Sequence, residues 1–92
     1  MESKELTVVI VTFKSESKVI DCLKSIPSDI KVLIIENSNN ESFKKNLENR
    51  FHNVHCILTG ENRGYAAANN IGLNKVRTKY ALVLNPDTIL EE

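Results

Sequence analysis

The sequence predicts an α/β fold built on a parallel sheet, and three observations point to it. Strand-like and helix-like segments alternate along the chain, as βαβ units with right-handed crossovers require. The first strand-like segment is a near-continuous β-branched run, the composition of a strand covered on both faces. The helical segments gather their apolar residues on one side.

Each element carries its own signature. Leu6 to Thr12 is the first strand. Ser15 or Ser17 can cap a helix whose apolar positions Val19, Ile20, Leu23 and Ile26 share a side, and Pro27 ends it. Lys31 to Glu36 is a second strand. Ser38 and Glu41 then stand at capping-box spacing, ahead of a second helix with Phe43, Leu47 and Phe51 at i, i+4 and i+8. Val54 to Leu58 is a short third strand, Gly64 to about Val76 a third helix, and Tyr80 to Leu84 a fourth strand. Within the third helix Gly64, Ala68 and Gly72 recur every four residues, a small-residue ridge for close approach to the sheet. Asn69 and Asn70 are poor helix-interior residues, each about 0.6 kcal/mol worse than Ala. A side-chain hydrogen bond is therefore expected, with Asn70 tying loops together.

Size and charge set limits. The 92 residues make one domain at most, burying roughly 60 to 65% of the surface the unfolded chain would expose. Twelve basic residues balance twelve acidic ones, so no net field favours nucleic acid, and none is expected as a partner. No secretory leader is visible at the N-terminus, and the longest apolar run, around Val8 to Val11, is too short to span a bilayer. Cys22 and Cys56 fit no Cys-x-x-Cys spacing and read as buried thiols. The expected compartment is the cytoplasm or the inner face of its membrane.

Parallel sheets place their chemistry at the carboxyl ends of the strands. Here those ends are Thr12 to Ser15, Glu36 to Asn40, Gly60 to Gly64 and Asn85 to Thr88, all polar or glycine-bearing. The first strand is followed by Phe13-Lys14-Ser15-Glu16-Ser17, without the glycines of a dinucleotide fold, and no Gly-Lys-Ser or Gly-Lys-Thr of a P-loop occurs. A phosphate would have to be neutralised by a divalent metal on a carboxylate at a strand end, and Asp87 is the best-placed carboxylate.

Four motifs carry a resemblance. Asn62-Arg63-Gly64-Tyr65-Ala66-Ala67-Ala68-Asn69-Asn70-Ile71-Gly72 resembles the Asn-x-Gly, small-residue, Asn-x-Gly motif of inverting family 2 glycosyltransferases with the GT-A fold. Asn85-Pro86-Asp87-Thr88 follows where that family has Asp-x-Asp. Val11-Thr12-Phe13-Lys14 looks like the end of its opening strand, and Glu36-Asn37-Ser38 like its Asp-Asn-Ser. The resemblance covers residues 6 to 90, and the Asn-Pro-Asp variant is similar to rhamnosyltransferase-like members that build bacterial surface polysaccharides. It implies a three-layer α/β/α domain, strand order 3-2-1-4, of which these 92 residues are the N-terminal, nucleotide-sugar-binding half of a Rossmann-like GT-A domain.

The resemblance also implies roles. Phe13 would stack on the nucleobase, and Thr12 would meet it through its backbone. Glu36 stands where the family has an Asp that bonds a pyrimidine base. Asn62, Arg63 and Gly64 would line the nucleotide pocket at a helix N-terminus, which favours an anion. Asp87 would bind Mg²⁺ or Mn²⁺ under the diphosphate of a UDP- or dTDP-linked sugar. Asn85 replaces the motif's first acid and adds no charge. Plainer readings stand beside these. Asp87 suits a turn or a helix cap, Glu36 a solvated strand end, and Lys14, Lys18 and Lys24 a solvated helix face. His52 and His55 straddle a helix end and a strand start, with no acid cluster to make a metal site.

The family's general base belongs to the second half of its domain, and Glu91 and Glu92 are no substitute for it. The expectation is a fragment that holds a donor without transferring the sugar, with an exposed sheet edge beside the fourth strand that pairs with another copy. Two alternatives remain: a non-catalytic nucleotide-binding module of the same fold, and an unrelated flavodoxin-like domain, which would have strand order 2-1-3-4.

Overall fold

The computed structural model describes residues 5–90, so Glu91 and Glu92 lie outside the described residues. Seven elements alternate without exception: β1 (Leu6–Thr12), α1 (Glu16–Ser25), β2 (Lys31–Glu36), α2 (Glu41–Arg50), β3 (Val54–Leu58), α3 (Tyr65–Lys75) and β4 (Tyr80–Leu84). All strand pairs are parallel, and the order is β3-β2-β1-β4. This is the order expected of the GT-A half-domain, and the 2-1-3-4 order of the flavodoxin-like alternative is not found.

The chain steps outward from β1 to β3, then reverses across the sheet through α3 to lay β4 on the other side of β1. With the hand of each crossover fixed, that reversal puts α3 on the opposite face from α1 and α2. Two cores result. Val8, Ile10, Val32, Ile34, Val54 and Cys56 meet α1 and α2 on one face. Val9, Val11 and Ile35 meet Ala68 of α3 on the other. Alternate residues of one strand serve the two layers, which is why β1 is buried along nearly its whole length.

Helix ends depart from the sequence reading in three places. Ser15 occupies the N-cap position of α1, but its hydroxyl donates to Phe13 O at 3.0 Å and caps nothing. The cap of α2 is Asn40, whose Oδ1 accepts from Phe43 N at 3.1 Å. Asn40 directly precedes the helix and so reaches its third amide, whereas Ser38 lies two residues upstream and bonds Glu36 instead. Gly64 is the exposed N-cap of α3 with φ 85°, so only Ala68 and Gly72 form the ridge. A Cβ on Gly72 would come within 2.6 Å of Val9 Cγ1 and 3.0 Å of Ile35 Cγ1. Hydrogen is all that position admits.

Both cysteines are buried free thiols, as their spacing suggested. Burial pushes the Cys56 thiol up to about 12. No helix among the described residues is long and apolar enough to cross a membrane.

Candidate functional site

The carboxyl ends of β1 and β2 are joined by a buried polar cluster. Thr12 and Glu36 are register partners on adjacent strands. The Thr12 hydroxyl donates to Glu36 Oε1 at 2.6 Å, and Ser38 Oγ donates to Glu36 Oε2. Ser38 Oγ in turn accepts from Asn40 N at 3.2 Å. Glu36 is only 4% exposed, so the solvated-strand-end reading is overturned: the carboxylate is held by two hydroxyls. A carboxylate has about four acceptor sites, so this one keeps capacity for a further donor. Thr12 serves it from beneath, through its side chain.

Above the cluster lies an open basin of about 480 Å³ lined by Phe13, Lys14, Glu16, Glu36, Ser38 and neighbouring residues of the α2 start. Phe13 is 43% exposed at its rim. Lys14 has φ 54°, a left-handed conformation that a residue with a Cβ adopts at a cost. It turns the chain sharply off β1 and sets Lys14 Nζ 5.3 Å from the Phe13 ring centroid. Asn40 Nδ2 donates to Glu16 Oε1 at 3.2 Å, linking the starts of α1 and α2 across the basin wall.

A second cluster ties this end to the loop before α3. Asn37 is 2% exposed. Its Nδ2 donates to Gly64 O at 3.1 Å, while its Oδ1 accepts from Thr59 Oγ1 at 3.1 Å and Arg63 N at 3.4 Å. Its own amide donates to Thr12 O at 2.8 Å. Asn37 thereby clamps the ends of β1 and β2 to the Asn62-Arg63-Gly64 loop. Asn62 Oδ1 accepts from Gly64 N at 3.0 Å, and Arg63 Nε donates to Thr59 O at 3.2 Å. The sequence reading gave Asn37 no role; its signal was a polar residue directly after a strand buried on both faces. The loop tie expected of Asn70 belongs to Asn37 instead. Asn70 is exposed and makes no side-chain hydrogen bond among the described residues, and the Oδ1 of neighbouring Asn69 is buried without a partner.

Asn85 and Asp87 share no hydrogen bond with either cluster among the described residues. Thr88 N donates to Asn85 O at 3.0 Å, closing a turn, and Leu90 N donates to Ser25 Oγ at 3.0 Å, laying the segment along α1. Asn85 O is 3.9 Å from Cys22 Sγ. Burial, then the Asp87 charge, raise the pKa of the Cys22 thiol. The backbone of the Asn85–Thr88 segment is thus a turn, while the Asp87 carboxylate is exposed and makes no hydrogen bond among the described residues. No group of three His, Cys, Asp or Glu side chains among the described residues could hold a metal by itself. A single free carboxylate does suit Mg²⁺, which takes one or two carboxylates and completes its shell with substrate phosphates and water.

Comparison with known proteins bears on the family and on the fold. The family model for glycosyl transferase family 2 matches residues 7–92. The low-salt glycan biosynthesis hexosyltransferase Agl10 of Haloferax volcanii is 29% identical over 87 residues, which is 90% of this chain and 28% of that protein. The teichoic acid poly(glycerol phosphate) polymerase of Staphylococcus epidermidis is 29% identical over 91 residues, 90% of this chain and 13% of that one. The crystal structure of S. aureus TarS 1-349 superposes with a TM-score of 0.76 at 15% identity, over 92% of this chain and 28% of that one. The chain thus spans a minor part of the length of each relative.

Proposed function

The chain belongs to glycosyl transferase family 2, and from that premise we propose that it holds the nucleotide of a nucleoside-diphosphate sugar for transfer to a glycan or polysaccharide acceptor. The observation that carries the proposal is the Thr12–Glu36–Ser38 cluster beneath Phe13. A buried carboxylate fixed by two hydroxyls is an acceptor aimed at one donor, and the imide N–H of uracil or thymine is such a donor. Phe13 supplies a face for the ring. This favours UDP- or dTDP-linked sugars.

Arg63 and the first amides of α3 would meet the diphosphate from one side. Asp87 would hold Mg²⁺ or Mn²⁺, which when bound neutralises the diphosphate and eases departure of the nucleotide. Asn85 would orient this segment without adding charge. No residue of the chain is assigned the general base, so the proposal for this chain is donor binding, with transfer requiring an acceptor-side base. The unpaired side of β4 would associate with a second copy.

The test is an amide-shift titration with UDP and with dTDP in the presence of Mg²⁺. Shifts should concentrate at Phe13, Glu36, Ser38, Arg63 and Asp87, and Glu36→Gln should weaken binding about tenfold, since a charge-assisted acceptor is lost. An unshifted spectrum with both nucleotides at about 5 mM, weaker than any useful donor site, would refute the reading.

A further inference from the structure

The opposite end of the sheet carries a second cavity that the donor reading does not use. It has a volume of about 380 Å³ and lies at the amino ends of β1 and β2 and beside β3. Its floor is apolar, formed by Val32, Leu33 and Val54. Its walls carry Lys31, Lys75 and Arg77, with the imidazoles of His52 and His55, and no carboxylate among the described residues lines it. The chain's overall neutrality therefore hides a local excess of three fixed positive charges.

From this segregation we infer that the cavity binds a phosphate or diphosphate group, with the body of its ligand resting on the apolar floor. Lys31, at the start of β2, and Lys75, at the end of α3, have no carboxylate within ion-pair distance among the described residues. Two features could oppose an anion here, and the structure answers both. The carboxyl end of α3 would repel it, but Arg77 Nη1 donates to Asn74 O at 2.9 Å and Val76 O at 3.1 Å, covering that end with a guanidinium. Glu48 reaches His55 Nδ1 at 3.2 Å, but Lys44 Nζ at 2.9 Å and Cys56 N at 2.8 Å already answer its charge. With Arg77 offsetting the end of α3, the two lysines exceed what a monoanionic carboxylate needs and match a phosphate dianion or a diphosphate. The group can come from a soluble phosphorylated compound or from a lipid headgroup, because the same cations serve either.

The experiment titrates the 92-residue chain with pyrophosphate, with inorganic phosphate, and with phosphatidylcholine vesicles with and without phosphatidic acid. The expected result is saturable amide shifts confined to Lys31, His52, His55, Lys75 and Arg77. If the source is lipid, those signals are instead lost selectively on phosphatidate vesicles. The double variant Lys31→Gln/Lys75→Gln should weaken the effect about tenfold or more, from two lost charge-assisted contacts, with its urea midpoint unchanged because both side chains are exposed. Arg77 is left alone in that test because it also caps α3. The inference is overturned if none of the three ligands saturates below about 10 mM, or if the double variant binds as the parent does.

Discussion

At β3 the outward amide and carbonyl of Cys56 are both taken: the amide donates to Glu48 Oε2 at 2.8 Å, and Lys44 Nζ donates to the carbonyl. Val54 N donates to Phe51 O at 3.0 Å. At the other edge, Thr78 Oγ1, donating to Tyr80 O at 2.8 Å, is the one side chain among the described residues that bonds the β4 backbone. The side chains differ in the same sense. Helix α2 packs over β3, with Phe43 and Leu47 buried against the sheet, whereas Leu82 and Val83 of β4 are 41% and 38% exposed. An edge strand can be closed by charged side chains from the helix that covers it, or left as a template for another strand. This molecule does one on each side.

The contrast is broken most severely by emptying the covered side. Leu47→Ala removes a fully buried side chain from between α2 and β3 and should cost about 3 kcal/mol, against less than about 1 kcal/mol for Leu82→Ala on β4. Urea unfolding of the two variants measures the difference, and equal losses would mean that β4 is covered in solution. Next in size is Glu48→Ala, which strips the outward Cys56 amide of its acceptor and should cost about 2 kcal/mol, with faster hydrogen exchange at Cys56. The same residue sets a pH dependence. Burial pushes the Glu48 pKa up, but the Cys56 amide, the Lys44 hydrogen bond and the Lys44 and His55 charges outweigh it, and the net shift is downward. A depressed carboxylate pKa means stability that is present above the unfolded-state value and lost as pH falls through the folded one. Acid should therefore loosen β3 before β4, and Glu48→Gln should flatten that loss.

Between these lies the third layer. Gly72→Ala would gain about 1 kcal/mol of helix propensity, but its methyl would meet Val9 and Ile35, both β-branched and fully buried. Overpacking of this kind costs about 1–3 kcal/mol, so a net loss of about 1 kcal/mol is expected in thermal unfolding. A gain in stability would show that α3 can lift off the sheet.

How far these features could be read beforehand differs with their range. The first two strands were legible as runs rich in β-branched residues, the last two as short, largely apolar segments alternating with helices, and the reversal of order at β4 followed from the motif resemblance. The Gly72 contact was legible as a spacing of small residues, since hydrogen-only positions leave a mark in composition. The edge clamp was not. Lys44 and Glu48 stand four residues apart on α2, and nothing local shows that β3 lies beside them. Asn37 was hidden for the same reason: its partners Thr59, Arg63 and Gly64 lie 22 to 27 residues downstream. For Glu36, residue type alone left a buried base-binding acceptor and a solvated strand end equally open. The register that sets Thr12 opposite Glu36 rules out the solvated strand end.

The mildest change should act on association with almost no effect on folding. Val83→Lys places a charge in the middle of the bare edge strand, where the side chain is already partly in water, so the unfolding free energy should move by less than about 0.5 kcal/mol. A second copy pairing along β4 would have to bury that charge beside the identical ammonium of its neighbour or abandon the register. Sedimentation at rising protein concentration should then show the parent chain self-associating and the Val83→Lys chain remaining monomeric. A charge placed on the clamped edge, as in His55→Lys on the exposed face of β3, should leave the parent's self-association as it was. If both substitutions dissociate the oligomer, association does not use β4, and the difference between the edges has no consequence for assembly.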